Sequence, residues 1–283
     1  MHVLARPLAV LALALAFQSP LAAPLAAQSS RARAADTVRA EPALRGRDLL
    51  LLAAGTGASV ALMARDENIA RDFRHEAQGE DRYDGIASGA ALVNEKSLFA
   101  AGVLAYGIGR LTKARAFTDV AWHATEAVII TSTASTIVRG ALGRTRPFVS
   151  REETGEYDAY DYHPGKGFGQ LAYRAFPSIH AATSFAAASV LSAEARRRAP
   201  AAGWVVTPVA YGLASLPGLG RMYKDKHWAS DVLMGAVLGE VVGRAVVRWH
   251  HTRPGNRLDR AMLGVTATVD PAGRPALAWS RSF

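Results

Sequence analysis

Residues 176–198 have the sequence Phe-Pro-Ser-Ile-His-Ala-Ala-Thr-Ser-Phe-Ala-Ala-Ala-Ser-Val-Leu-Ser-Ala-Glu-Ala-Arg-Arg-Arg, which predicts a long helix. Proline is favoured in the first turn of a helix, and alanine has the highest helix propensity. Similar runs rich in Ala, Leu and Met recur along the chain between charged or Pro- and Gly-containing segments. They predict helices over residues 46–64, 86–112, 118–142, 178–198, 202–216 and 229–250. The sequence therefore predicts an all-α fold.

The composition excludes several functional classes. The chain has 283 residues, 50% of them hydrophobic and 20% charged, which is typical of a folded domain. It contains no cysteine, so a disulfide scaffold, a thiolate zinc site and a cysteine nucleophile are excluded. A net charge of +9 favours anionic partners such as phosphates, nucleic acid or an acidic membrane surface. Basic runs with interleaved aromatic residues are absent from the sequence, so no nucleic-acid partner is expected.

The N-terminus has the order of regions found in export signals. Residues 1–27 contain no acidic residue and pass from Arg6 through an apolar run to small residues at 22–27. This order predicts a secretory signal peptide, with an uncleaved N-terminal anchor as the alternative, and export to the periplasm in either case. Residues 28–45 have no apolar periodicity, so we expect them to form a flexible N-terminus of the mature chain.

The apolar runs are also candidates for membrane spans. Mean hydropathy is only +0.06. Among the helical runs after residue 45, only residues 201–220 lack charge over the ~20 residues that a span requires. That segment contains Pro208 and Pro217, so the sequence favours helices buried in a core over membrane-spanning helices. Association with a membrane surface is left open.

A single helical domain over residues 46–260 accounts for these runs, with a charged stretch at 65–84 between two of the helices. Within it, residues 145–176 form a predicted loop of about thirty residues, and loops of that length in a compact domain are usually functional. Residues 261–283 are predicted to form a tail with a β-hairpin, because apolar and polar residues alternate on both sides of a Pro/Gly turn.

Two segments combine groups that suit phosphate binding. Residues 139–147 are Arg-Gly-Ala-Leu-Gly-Arg-Thr-Arg-Pro, and the guanidinium groups of Arg139 and Arg146 would lie on one helix face if the helix continued that far. Residues 176–180 would bring a hydroxyl, backbone N–H groups and the imidazole of His180 together at a helix start, where anions bind. The two segments predict an anion site with an adjacent proton donor.

A third segment places a carboxylate beside a histidine. Residues 220–231 are Gly-Arg-Met-Tyr-Lys-Asp-Lys-His-Trp-Ala-Ser-Asp, in which His227 and Asp231 are four positions apart. That spacing brings side chains together on a helix, so the carboxylate would fix the tautomer of the imidazole and raise its basicity. Each segment taken singly also fits an ordinary role: a solvated helix end that includes Arg144, a capping histidine, or a chance pair.

In this order the three segments resemble the signature of the type 2 phosphatidic acid phosphatase superfamily, which includes class A bacterial acid phosphatases and vanadium haloperoxidases. The family pattern is Lys-x6-Arg-Pro, then Pro-Ser-Gly-His, then Ser-Arg-x5-His-x3-Asp. Nine positions of this chain correspond, with arginine replacing the lysine at the first: Arg139, Arg146, Pro147, Pro177, Ser178, His180, Arg221, His227 and Asp231. The resemblance implies the helical-bundle fold of the acid phosphatases and vanadium haloperoxidases.

The resemblance also implies a phosphatase that hydrolyses a lipid phosphate or a small phosphomonoester without a metal, through a phosphohistidine. His227 would attack phosphorus, Asp231 would orient it and His180 would protonate the leaving oxygen. The implied phosphate-binding residues are Arg139, Arg146, Ser178, Ile179 through its amide, and Arg221. No cofactor is expected; vanadate would act as an inhibitor or, in a haloperoxidase, as the cofactor.

Three departures from the family pattern leave alternatives open. Arg139 is forked where the family has lysine, Ile179 replaces glycine and Gly220 replaces serine. Because a β-branched residue restricts the backbone, we expect Ile179 to keep a negative φ and to turn its side chain away from the anion. The alternatives are a vanadate-dependent haloperoxidase and an inactive anion-binding relative. The sequence does not specify the substrate or the oligomeric state.

Two further groupings approach metal-ligand spacing in the sequence. They are His123 with Glu126, and His250 with His251. Neither has another ligand nearby along the chain, so the sequence predicts no metal site.

Overall fold

The computed structural model describes residues 41–77, 81–253, 256–263, 265–269 and 275–279. Its helices are α1 (Gly46–Ala77), α2 (Asp81–Ala91), α3 (Glu95–Leu111), α4 (Arg115–Leu142), α5 (Pro147–Thr154), α6 (Ile179–Arg198), α7 (Pro200–Tyr223), α8 (Ala229–Thr252) and α9 (Arg257–Leu263). Strands β1 (Val265–Val269) and β2 (Pro275–Trp279) pair antiparallel in the tail where the hairpin is predicted. The fold is all-α apart from this hairpin. The predicted signal peptide and residues 28–40 lie outside the described residues.

Helix α6 lies at the centre of the bundle, in contact with α4, α7 and α8. Many of its buried residues are small, among them Ala181, Ala182, Ala186, Ala188 and Ser189. Helix α8 faces α6 with glycines at four-residue spacing: Gly235, Gly239 and Gly243. A Cβ built on Gly239 would overlap the carbonyl oxygen of Ala182, so these glycines allow the two backbones to approach closely. The close approach brings the first turns of α6 and α8 together.

Two helix boundaries near the N-terminal side differ from those predicted. The charged stretch 65–84 does not separate helices over its whole length, since α1 continues to Ala77 and α2 begins at Asp81. The predicted helix 86–112 is interrupted, because the side chain of Asn94 accepts hydrogen bonds from first-turn amides of α3 and caps a new helix. The cap at Asn94 therefore divides one apolar stretch of sequence into two helices, α2 and α3.

The predicted loop 145–176 has internal structure. It contains α5 and two single-turn 3₁₀ helices, Lys166–Phe168 and Leu171–Tyr173. Backbone hydrogen bonds attach the loop to the chain that precedes it: Arg146 N–H donates to Ala172 at 3.0 Å, and Ala175 N–H donates to Arg144 at 3.1 Å. The loop is thereby fixed over the end of the bundle where the predicted site residues lie.

Several apolar helix faces are exposed. In α1 the segment Gly46–Arg74 is long and apolar enough, by length and composition alone, to cross a membrane. Its most apolar stretch of 18 residues is only 17% buried. Helices α3 and α7 also expose large apolar side chains, including Leu104 at 66%, Trp204 at 86% and Leu213 at 62%. The expectation that the apolar helices are buried in a core is therefore wrong for these faces.

Candidate active site

The residues predicted for phosphate chemistry lie together at one end of the bundle. Arg139 comes from the last turn of α4, His180 from the first turn of α6 and Arg221 from the last turn of α7. Arg146 precedes α5, and His227 lies in the short connection between α7 and α8. The imidazole rings of His180 and His227 are 6.3 Å apart and inclined at 60°. Five helix ends thus converge on one pocket.

Arg139 and Arg146 do not share a continuous helix face, so that prediction is wrong. Helix α4 ends before Gly143, which has a left-handed conformation with φ 65°. A side chain at Gly143 would overlap the backbone carbonyl of His163, so the turn requires glycine. The turn still returns Arg146 to the pocket. There burial and the nearby guanidinium groups of Arg221 and Arg139 lower the pKa of Arg146 to about 10.

Both histidines of the pocket are held in the neutral form. Burial and the guanidinium groups of Arg146, Arg221 and Arg139 hold the pKa of His227 well below its usual range. Burial, His227 and the same arginines lower the pKa of His180 to about 3. A neutral imidazole has a lone pair for nucleophilic attack, whereas an acid must first gain a proton. A bound phosphate dianion would offset the guanidinium charges and so favour protonation of His180.

Buried polar atoms without a hydrogen-bond partner are concentrated in this pocket. They are Nε of Arg139, Arg146 and Arg221, Oγ of Ser178, Nδ1 of His180 and both ring nitrogens of His227. Buried polar groups are nearly always paired, because an unpaired one destabilises a protein by about 1–3 kcal/mol. This set of groups suits an anion with several oxygens, such as phosphate or its analogue vanadate.

Two departures from the family pattern have a structural explanation. Ile179 begins α6 and is 3% exposed, and the described non-glycine residues with positive φ are Lys113 and Asp225. Ile179 therefore has the expected negative φ, with its side chain in the core. Gly220 packs against α2, where a Cβ would lie only 3.1 Å from the carbonyl oxygen of Ala87. A serine at this position would crowd α2.

Asp231 lies beside His227, but it is held by other groups. Its Oδ2 is 3.5 Å from Nδ1 of His227, a distance typical of an ion pair and too long for a good hydrogen bond. The same oxygen accepts a hydrogen bond from the backbone N–H of Trp228 at 2.8 Å. The other oxygen accepts one from Arg144 at 2.6 Å. The predicted pair is thus present as close proximity, with the carboxylate fixed by Trp228 and Arg144.

Arg144 is fully buried, in contrast to the solvated helix end that its sequence context fits. Besides Asp231, it donates hydrogen bonds to Asp66 at 2.8 Å, to Ser230 at 2.7 Å and to the carbonyl of Ala159. These contacts tie α1, the 145–176 loop and α8 together directly behind the pocket. No local sequence pattern indicates these contacts, because Asp66 and Asp231 are 78 and 87 residues away from Arg144 along the chain.

Glu95, in the first turn of α3, is a further residue of this region that the motifs do not include. Its carboxylate favours the charged forms of Arg139 and Arg221, which places it near the arginine cluster. Its buried Oε2 has no hydrogen-bond partner. Glu95 therefore offsets part of the positive charge of the pocket.

Parts of this chain are similar to a known protein family and to a characterised phosphatase. The family described as the PAP2 superfamily matches residues 120–254. A lipid A 1-phosphatase from Porphyromonas gingivalis is 41% identical over 81 residues, which are 27% of this chain and 17% of that protein. The chain therefore spans a small part of the length of that relative.

A solved structure has a similar fold. It is the crystal structure of the first transmembrane PAP2 type phosphatidylglycerolphosphate phosphatase from Bacillus subtilis, with a TM-score of 0.51 and 17% identity over 75% of this chain and 98% of that one. At this identity the match shows the fold, which is the helical bundle that the sequence predicts. Residues 139–231, which contain every motif position, lie inside residues 120–254, the part of this chain that is similar to the PAP2 superfamily.

Proposed function

We propose that this protein is a phosphatase that removes the phosphate group of a phosphorylated lipid. The observation that carries the proposal is the set of buried, unpaired groups of Arg139, Arg146 and Arg221 around the neutral imidazoles of His180 and His227. Three guanidinium groups can neutralise a phosphate dianion and stabilise the charge of its transition state. The similarity of residues 120–254 to the PAP2 superfamily, and of 81 residues to a lipid A 1-phosphatase, supports the same activity.

In the proposed reaction His227 is the nucleophile. Its neutral ring nitrogen forms a P–N bond while the P–O bond to the leaving alcohol breaks. His180, protonated in the substrate complex, gives its proton to the leaving oxygen. Water then attacks the phosphohistidine and passes a proton to His180, which releases inorganic phosphate and restores neutral His227. This reaction needs no metal ion, since the arginines provide the positive charge.

Other residues support the two histidines in this proposal. Asp231 stabilises the positive charge that forms on the imidazole of His227 when phosphorus is bound, and Arg144 keeps the carboxylate in place. The hydroxyl of Ser178 and the amide of Ile179, at the start of α6, add donors for the phosphate oxygens. The roles match those that the family resemblance implies.

An apolar groove favours a lipid over a small ester. It has a volume of about 440 Å³ and lies between α2, α6 and α7, with a wall that includes Ile86, Val93, Leu191 and Leu213. Ser184 in this wall is one helical turn from His180, and Pro217 is one turn from Arg221. The groove therefore begins next to the phosphate pocket, where an acyl chain attached to the phosphate would lie.

We further propose that the protein acts at a membrane after export. The exposed apolar faces of α1, α3 and α7, together with a net charge of +9, support contact with an anionic bilayer. Residues 1–27 would direct export to the periplasm.

The test is phosphate release from phosphatidic acid in mixed micelles and from p-nitrophenyl phosphate, each with EDTA present. We expect release from both, a higher kcat/KM for the lipid and inhibition by vanadate. His227→Ala should abolish release, because the nucleophile is gone. The matched control is Arg197→Ala, an exposed position at the far end of α6, which should retain the parental rate.

Two results would contradict this function. A higher kcat/KM for the soluble ester than for the lipid would overturn the lipid assignment while leaving a phosphatase. No release from either substrate by a folded protein would overturn the phosphatase itself.

A further inference from the structure

A second group of histidines and carboxylates lies at the other end of the bundle. His123 comes from the first half of α4, Glu194 from near the end of α6 and His251 from the last turn of α8. At a rise of 1.5 Å per residue, His123 is roughly 24 Å along α4 from Arg139. The cluster is therefore separate from the phosphate pocket. The fold supplies the additional ligand that the sequence lacks near either histidine.

The three side chains form a compact set of ligand atoms. Oε1 of Glu194 lies 2.8 Å from Nδ1 of His123 and 2.7 Å from Nε2 of His251. All three atoms lie within 4.8 Å of one another. The side chains of His123 and Glu194 are buried, whereas that of His251 is 23% exposed. The set is thus largely enclosed but can be reached from solvent on one side.

A neighbouring arginine fixes the carboxylate of this set. Arg198 donates to Oε2 of Glu194 at 2.9 Å, so Oε1 remains for the two imidazoles. The orientation of the Glu194 carboxylate is therefore set by a partner outside the ligand set, as is usual for carboxylates that bind metal ions.

His250 forms a separate layer next to these ligands. It stacks on His123 with 4.1 Å between ring centres, and it contacts Glu126 at 2.5 Å and Asp259 at 2.6 Å. Nε2 of His250 faces Glu126 and Nδ1 faces Asp259, so both ring nitrogens already lie against carboxylates. The layer around His250 is thus less suited to a metal than the set that contains Glu194.

We propose that His123, Glu194 and His251 bind one divalent transition metal ion, zinc being the metal that best suits the ligands. Two imidazoles and a carboxylate are a common zinc ligand set, with water in the fourth position. Zinc–ligand bonds of about 2.0–2.2 Å place the ligand atoms of a tetrahedral site roughly 3.3–3.5 Å apart. Zinc binding therefore requires Oε1 of Glu194 to move roughly 0.6 Å further from each imidazole nitrogen. The ion ties α4, α6 and α8 together at the end opposite the phosphate pocket.

The test uses the full chain without a polyhistidine tag, stripped with EDTA and then equilibrated with zinc chloride. We expect one zinc per chain by elemental mass spectrometry and a higher Tm than that of the stripped protein. His251→Gln should lose both the zinc and the gain in Tm. The matched control is His163→Gln, which removes a histidine paired with Asp161 outside the cluster and should still bind one zinc.

Cobalt(II) provides a second readout that does not depend on the stability of a variant. In the unaltered protein we expect the intense visible absorption of tetrahedral cobalt, and zinc should displace it. Substoichiometric zinc in the parent, an octahedral cobalt spectrum, or equal zinc content in the parent and His251→Gln would each overturn the proposal.

Discussion

Nδ1 of His227 and Oδ2 of Asp231 lie 3.5 Å apart in a part of the protein where both side chains are buried. The carboxylate cannot turn away, because Trp228 and Arg144 hold its two oxygens. Asp231 is therefore placed to stabilise a positive charge on the imidazole. In the proposed mechanism it is a positioning residue, distinct from the nucleophile.

Asp231→Asn should weaken turnover less than His227→Ala does. The amide still positions the imidazole but no longer stabilises its charge, whereas alanine removes the nucleophile. We expect Asp231→Asn to retain roughly 10- to 100-fold more activity than His227→Ala, as measured by kcat on p-nitrophenyl phosphate. Circular dichroism should show the same helical content in both. Equal turnover in Asp231→Asn and the parent would remove Asp231 from the site.

Arg144 and Arg146 are two positions apart but should have opposite effects when truncated. Arg144→Ala leaves the buried carboxylates of Asp66 and Asp231 without their cation, which should lower the free energy of unfolding by about 3–5 kcal/mol. Arg146→Ala removes a proposed phosphate-binding group that forms no ion pair with a carboxylate among the described residues. It should therefore change stability little and lower kcat/KM by about 100-fold or more.

Denaturant unfolding and steady-state kinetics on the same pair of variants test this contrast. An Arg144→Ala protein as stable as the parent would show that the buried network contributes nothing to stability. An active Arg146→Ala protein would remove Arg146 from the phosphate site.

The pH dependence of kcat/KM should be acidic for a soluble monoester. Because the pKa of His180 is about 3 in the free protein, His180 is neutral above that pH and needs a proton that arrives with the substrate. A phosphate monoester loses its second proton near pH 6. We therefore expect the highest kcat/KM between about pH 3 and pH 6, with a roughly tenfold decrease per pH unit above that range. A maximum near pH 8 would contradict this ionisation of His180.

The leaving group provides a separate test of His180 as the acid. His180→Asn should lose much more activity on an alkyl phosphate than on p-nitrophenyl phosphate, because nitrophenolate leaves without a proton. An equal loss on both esters would indicate that His180 does not protonate the leaving oxygen.

Ile179 can be tested by truncation in two steps. Because its side chain is buried, Ile179→Val should lower the free energy of unfolding by about 0.5–1.5 kcal/mol, and Ile179→Gly by more. We expect Ile179→Gly to keep or raise turnover on the short ester and to lose activity mainly on a long-chain lipid phosphate. Loss of both activities in a folded Ile179→Gly protein would show that the amide of residue 179 does not act as the glycine amide of the family does.

The motif residues could be predicted from the sequence because their chemistry is encoded in short spacings. His180, His227 and Asp231 each have a neighbour within four positions that indicates a role. Arg144 and Glu95 have no such neighbour, because their partners come from distant helices. The sequence therefore indicates the candidate reacting groups, which the structure brings together, but not the residues that orient them or balance their charge.

The helices also show which features can be predicted from local sequence and which depend on tertiary contacts. Ala-rich runs predict the long helices, but their ends depend on caps and on tertiary contacts, as Asn94 and Gly143 show. The exposed apolar faces could not be assigned from composition, since an Ala- and Leu-rich helix looks the same whether it contacts a core or a lipid. The cluster of His123, Glu194 and His251 was equally hidden, because its members are far apart along the chain.

The close packing of α6 on α8 has an electrostatic consequence. Both helices run in the same direction, so their peptide dipoles add, with about half a unit of positive charge at each N-terminus and of negative charge at each C-terminus. The positive ends lie at His180 and Asp231, where we propose that phosphate binds. The negative ends lie near Arg196–Arg198 and at His250 and His251, residues that can carry positive charge or bind a cation. The same pair of backbones therefore gives the molecule opposite potentials at its two ends.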